Sequence, residues 1–188
     1  TWTDIANIPG SWPHSFYVSP NDTNIWVAAV VNSTDEVIKS TNYGATWTTS
    51  IAKNFSNYGQ PLEMDQNDPS IFYFAPDGGG FYQSTDNGST FSLISNYAFR
   101  SPCDLLVEYD NSSVIFVADG VTGNGQAEIF KSSNGGVNWT LSLTAGASEV
   151  PSMCNTKFDN SVIYSTEWSG QKLYKSTNGG DNFFTLIP

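Results

Sequence analysis

The side chains best suited by type to hold a ligand are aromatic and acidic: Trp12, Tyr58, Asp77, Asp119, Glu167 and Trp168. Aromatic rings stack on the apolar faces of sugars, and carboxylates accept hydrogen bonds from sugar hydroxyls. A neutral polysaccharide is one partner such a set could hold, and a protein surface is the other. His14 is the one histidine in the chain, which rules out a multi-histidine metal site and any serine triad that does not use it. The stretch Asp65-Gln66-Asn67-Asp68-Pro69-Ser70 lacks the glycine and terminal glutamate of an EF-hand loop and reads as a turn. No cofactor or metal site is indicated, and no complete catalytic constellation is present, so the residues favour recognition or scaffolding over catalysis.

Charge narrows the partners further. Eighteen acidic residues face seven basic ones in 188, a net charge of −11 that repels nucleic acid and anionic membranes. No apolar run is long enough to span a bilayer, so membrane insertion is not expected, and Thr1-Trp2-Thr3-Asp4 has no basic start or apolar signal core. Abundant Ser, Thr, Asn and Gly with little Lys point to a secreted or cell-surface protein. Sequons at Asn21, Asn32, Asn54, Asn87, Asn111 and Asn138 would be glycan acceptors in a eukaryotic secretory pathway. Cys103 and Cys154 either pair or stay reduced. They precede the aligned Asp110 and Asp159 by seven and five positions, both odd, so both side chains are expected on one face, and a disulfide is expected if these strands are neighbours and bring the Cα atoms within ~7 Å.

Internal repetition sets the architecture. Four segments align without gaps: Ser40 to Trp47, Ser84 to Phe91, Ser132 to Trp139 and Ser176 to Phe183, with their first serines 44 to 48 positions apart. The third place carries Asn42, Asp86, Asn134 or Asn178, whose side chains can bond the turn's own amides. The fifth carries Gly44, Gly88, Gly136 or Gly180, free to adopt positive φ, and the eighth carries Trp47, Phe91, Trp139 or Phe183, an aromatic able to fold back over a hairpin. Ahead of each segment lie two more β-like runs joined by an Asn/Asp turn, such as Leu105-Leu106-Val107-Glu108-Tyr109 and Val114-Ile115-Phe116-Val117-Ala118. Each repeat therefore reads as a four-stranded antiparallel meander. An all-β propeller with four such blades follows, at 11–52, 53–96, 97–144 and 145–188, preceded by a surplus outer strand at 1–10. A β-solenoid is the alternative arrangement.

The pattern Ser-x-Asp-x-Gly-x-Thr-Trp resembles the Asp-box, or bacterial neuraminidase repeat, and its four copies span the chain. The resemblance implies a β-propeller similar to those of sortilin-type receptors and xyloglucanase-type glycoside hydrolases, with the Asp-boxes at the blade periphery. Sialidases share three arginines that hold a carboxylate; this chain has only Arg100, so that activity is excluded from this segment. Xyloglucanase-type enzymes use a pair of Asp residues in the propeller cleft. Asp77-Gly78-Gly79-Gly80-Phe81-Tyr82 resembles an Asp-Gly-rich stretch found there. Three functions thus stand: an extracellular non-catalytic recognition or scaffold module, part of a xyloglucanase-type hydrolase, or a self-assembling unit.

In a meander blade the second-to-third loops and the blade-to-blade connections share one face. That face, which includes residues 52–61, 75–80, 119–128 and 143–151, is the expected ligand surface. Thr1-Trp2-Thr3-Asp4-Ile5 aligns with Thr46-Trp47-Thr48-Thr49-Ser50 and is expected to be a fourth strand lacking its first three. An unpaired strand recruits a partner, so self-association or continuation into further blades is expected there.

Overall fold

The computed structural model describes residues 1–187 apart from Ser56, 121–124 and 147–148, so parts of three expected ligand loops, 52–61, 119–128 and 143–151, lie outside the described residues. Sixteen strands form four antiparallel sheets, each a meander in chain order. Sheet one holds β1 (Trp12–Val18), β2 (Trp26–Val31), β3 (Glu36–Ser40) and β4 (Thr48–Ala52). Sheet two holds β5 (Leu62–Met64), β6 (Phe72–Phe74), β7 (Phe81–Ser84) and β8 (Ser92–Ser95). Sheet three holds β9 (Pro102–Glu108), β10 (Asn111–Asp119), β11 (Glu128–Ser132) and β12 (Thr140–Thr144). Sheet four holds β13 (Ser152–Asn155), β14 (Ile163–Thr166), β15 (Leu173–Ser176) and β16 (Phe184–Ile187).

The second strand of each sheet shows why the sheets must stack. Along β6, Phe72 and Phe74 join an apolar cluster with Val27 and Ala29 of sheet one, while Tyr73 faces Ile115 and Val117 of sheet three. Along β10, Ile115 and Val117 face sheet two, whereas Phe116 and Ala118 face Met153 and Ile163 of sheet four. Successive side chains of a strand point to opposite faces, so an apolar run in a central strand needs cover on both sides. Neighbouring sheets supply it. The inner strands meet in the order β1, β5, β9, β13, as in a β-propeller, but no apolar cluster among the described residues joins sheet four to sheet one. The four sheets form an open series rather than a closed ring.

The repeated turn between third and fourth strands has one geometry in all four copies. The first-place hydroxyl accepts the fifth-place glycine amide, as in Gly180 N to Ser176 Oγ at 2.9 Å. The third-place oxygen accepts the seventh-place amide, as in Thr90 N to Asp86 Oδ1 at 2.9 Å. Fourth and fifth places are both left-handed, at φ 56° and 78° for Tyr43 and Gly44. The eighth-place aromatic does more than cover its own hairpin: Trp139 of sheet three packs edge-on to Phe81 of sheet two, with centroids 4.9 Å apart.

Two expectations are corrected. Residues 1–10 form no strand; Trp2 and Ile5 are exposed, and the segment runs along the outer side of sheet one, where Ile8 packs on Ala28, Val30 and Ile38. The cysteines are unpaired, Cys103 buried and Cys154 exposed. Asp104 pairs with Ala118 and Pro102 with Asp119, so Cys103 is the extra residue of a β-bulge, and it packs into the cluster between sheets three and four, where Met153 meets it.

Candidate functional site

The loop face carries two open depressions, and another of about 620 Å³ lies away from it, between residues 5–9 and the first repeated turn, Asn42 to Trp47. Tyr58, from the connection between sheets one and two, and Trp168, from the loop after β14, line one cleft of about 320 Å³ with Glu149 and Pro151. Both aromatics are largely exposed, at 72% and 67%. Separated by more than a hundred positions in sequence, they are brought together because sheets two and four flank the same inner edge of sheet three. Trp168 is held by its own amide, which donates to Glu149 O at 3.1 Å. An exposed aromatic pair can stack on a sugar ring, while Glu149 beside it is buried and forms the wall of the cleft.

The remaining expected residues divide into open and structural. Asp77 is exposed in a second depression with Lys53, Asn54 and Thr34, and accepts a hydrogen bond from Ser101 Oγ at 3.1 Å. Trp12 is exposed at the start of β1 but lines neither depression. Asp119 and Glu167 are buried. Asp119 accepts the Ser101 and Arg100 amides at 2.7 and 3.0 Å, pinning the connection that enters sheet three. Arg100 bridges it to Glu128, with Nη2 3.0 Å from the Glu128 carboxylate. Glu167 accepts from Tyr174 Oη at 3.1 Å, with Lys172 Nζ at 3.9 Å. Burial of Asp119 is bearable because fixed donors replace water, whereas Glu167 is satisfied on Oε2 alone and its Oε1 is buried with no hydrogen-bond partner among the described residues.

Sequence reasoning passed over a second feature, the polar groove of about 270 Å³ along the inner strands β5, β9 and β13. Glu63 and Asp104 line it. Tyr17 Oη donates to Glu63 Oε2 at 2.5 Å, tying sheet one to sheet two, and the Met153 amide donates to Asp104 Oδ2 at 2.6 Å, tying sheet four to sheet three. Burial pushes Glu63 up to about 7 despite the Tyr17 bond, and Asp65 nearby adds to the rise. Burial likewise holds Asp104 well above the usual carboxylate range, against the Met153 amide. The signal was present: each acid sits between apolar residues in the first strand of its repeat, Leu62-Glu63-Met64 and Cys103-Asp104-Leu105. It was unreadable without knowing that this strand lies innermost.

No family model matches the chain. It is 28% identical over 196 aligned residues to a xyloglucanase of Paenibacillus sp, covering 86% of this chain and 19% of that protein. A xyloglucanase of Hypocrea jecorina is 26% identical, over 84% of this chain and 22% of its own length. The chain thus spans about a fifth of the curated relatives it matches. Among solved structures, a GH74 enzyme of Niastella koreensis superposes with a TM-score of 0.73 at 19% identity, over 94% of this chain and 30% of that one. That likeness establishes the β-propeller fold type. The xyloglucanase relatives favour the hydrolase-type reading over the non-catalytic scaffold expected from the residues alone.

Proposed function

We propose that this chain forms part of a xyloglucanase-type β-propeller and binds a neutral β-linked polysaccharide on its loop face, outside the cell. The observation that carries the reading is the cleft in which Tyr58 and Trp168 stand beside Glu149 and Pro151. Aromatic platforms suit the flat glucose units of a β-glucan backbone, and a chain carrying −11 repels polyanions while accepting neutral sugars. In this reading the four repeated turns are Asp-boxes and serve the scaffold. Asp77, exposed on the same face and set in the Asp77-Gly78-Gly79-Gly80-Phe81-Tyr82 stretch, contributes one carboxylate to hydrolysis, and its partner acid comes from beyond these four sheets.

Affinity electrophoresis in gels containing xyloglucan tests the binding claim. Migration of the wild-type chain is expected to be retarded, with Trp168→Ala and Tyr58→Ala each weakening affinity about tenfold, the loss of one stacking contact of roughly 1.4 kcal/mol. Equal retardation of wild type and both variants would remove the cleft from the binding surface. No retardation of any of them would remove the polysaccharide.

A further inference from the structure

Trp168 reaches its cleft from a tight loop. Residues 168–171 join β14 to β15, with the Glu167 amide donating to Lys172 O at 3.0 Å and Gln171 held at φ 56°. Gly170 folds back over the Glu167 carboxylate so closely that a Cβ on it would stand 2.5 Å from Oε2. Glu149 and Pro151, which share the cleft with Trp168, belong to a different segment, the connection between β12 and β13.

One buried pair of side chains fastens the two segments together. The Tyr174 hydroxyl donates to Glu167 Oε2 at 3.1 Å and accepts the Gly146 amide at 3.3 Å. The Trp168 amide joins the same segments a second time, through Glu149 O at 3.1 Å. Gly146 also leaves room for an ion pair: a Cβ there would stand 2.7 Å from Lys172 Nζ, which lies 3.9 Å from Glu167 Oε2. Glu167 Oε1, by contrast, is buried with no hydrogen-bond partner among the described residues. A carboxylate buried half-satisfied is a poor source of stability. What this one supplies is a fixed attachment for two segments at once.

We propose that Glu167 is a positioning residue of the polysaccharide cleft, an inference that rests on the binding function proposed above. Through Tyr174 and Gly146 it fixes the loop presenting Trp168 against the segment that carries Glu149 and Pro151, and it touches no sugar itself. An aromatic platform binds best when its ring is ordered before the ligand arrives. A loop released from Glu167 has to be ordered at binding, which lowers affinity.

Two measurements test this, one with sugar and one without. In xyloglucan gels Glu167→Ala is expected to bind about fivefold more weakly than wild type, and the double variant Glu167→Ala with Trp168→Ala no more weakly than Trp168→Ala alone, because the first change acts through the second side chain. Without sugar, amide exchange followed by NMR is expected to quicken about tenfold at Trp168 and Gly146 in Glu167→Ala and in Tyr174→Phe, while β6 and β10 keep their protection. Glu167→Gln, which retains an acceptor for the Tyr174 hydroxyl, should restore slow exchange, and Tyr174→Phe carries the test if Glu167→Ala does not fold. Additive losses of affinity in the double variant would overturn the proposal, as would Trp168 exchange unchanged in both single variants. A wild type that binds no xyloglucan would remove the polysaccharide reading, and the exchange rates would then decide the role of Glu167 by themselves.

Discussion

Single carboxylates in this protein respond to acid in opposite senses. Burial works against ionisation of Asp86, but hydrogen bonds from the Ser84 and Thr90 hydroxyls and the Thr90 and Ser89 amides outweigh it and hold its carboxyl at about 2. A depressed folded value stabilises the fold above the unfolded value of roughly 3.9 and loses that contribution as pH falls toward 2. The other three turns use Asn at this place, which keeps the Oδ1 acceptor without a titrating group. Asp86→Asn is therefore expected to leave the urea midpoint at pH 7 nearly unchanged and to flatten its fall between pH 4 and 2. Glu63 runs the other way. Its folded value is raised to about 7, so between about 4.5 and 7 the native protein keeps a proton the unfolded chain gives up, and stability falls as pH rises through that window. Glu63→Gln, measured by urea midpoints from pH 4.5 to 7.5, should remove part of that slope; an unchanged slope would mean Glu63 ionises normally.

At the level of the sheet, the repeated turn is both a hairpin and a junction. Gly180 has φ +78°, and a Cβ there would overlap the Phe116 ring of sheet three. Gly78 has φ +57° with nothing within 4 Å of its Cβ position. Gly78→Ala is expected to cost about 1 kcal/mol for the left-handed backbone alone. Gly180→Ala adds overpacking and should cost about 2–4 kcal/mol. Equal melting shifts for the two variants would show that the turn does not bear on its neighbour. The same reasoning applies to Trp139, wedged between Phe81 and Phe99 with ring centroids 4.9 and 5.1 Å away. Trp139→Ala should destabilise by about 3 kcal/mol, read from denaturant unfolding.

Among the described residues, three apolar clusters each join two sheets that are neighbours in sequence, so the energetics are those of a one-dimensional array. Weakening the junction between sheets two and three should uncouple the halves. Hydrogen exchange of Trp139→Ala is expected to show amides of β2 and β14 opening with different free energies, where the wild type opens them more nearly together. Identical protection losses in all four sheets would indicate a core more cooperative than the cluster pattern implies.

The repeat, its four-stranded period and the turn chemistry were legible in the sequence because they depend on local rules: alternation, left-handed glycines, and an Asn or Asp oxygen facing an amide four residues on. So was the loop face, since the order of strands in a meander determines which loops share a side. Four things were decided only by tertiary structure. Asp119 turned inward because the Arg100 and Ser101 amides were available to replace water, and Glu167 because the Tyr174 hydroxyl and the Lys172 ammonium meet its other oxygen, Oε2. The cysteines stay apart because Cys103 packs into the cluster between sheets three and four where Met153, not Cys154, meets it, leaving Cys154 exposed. Residues 1–10 form no strand and instead lie on the apolar side of sheet one, where Ile8 finds Ala28, Val30 and Ile38. Glu63 became half-buried and Asp104 buried because packing placed β5 and β9 innermost, and burial is a property of the assembled sheets that no local pattern encodes.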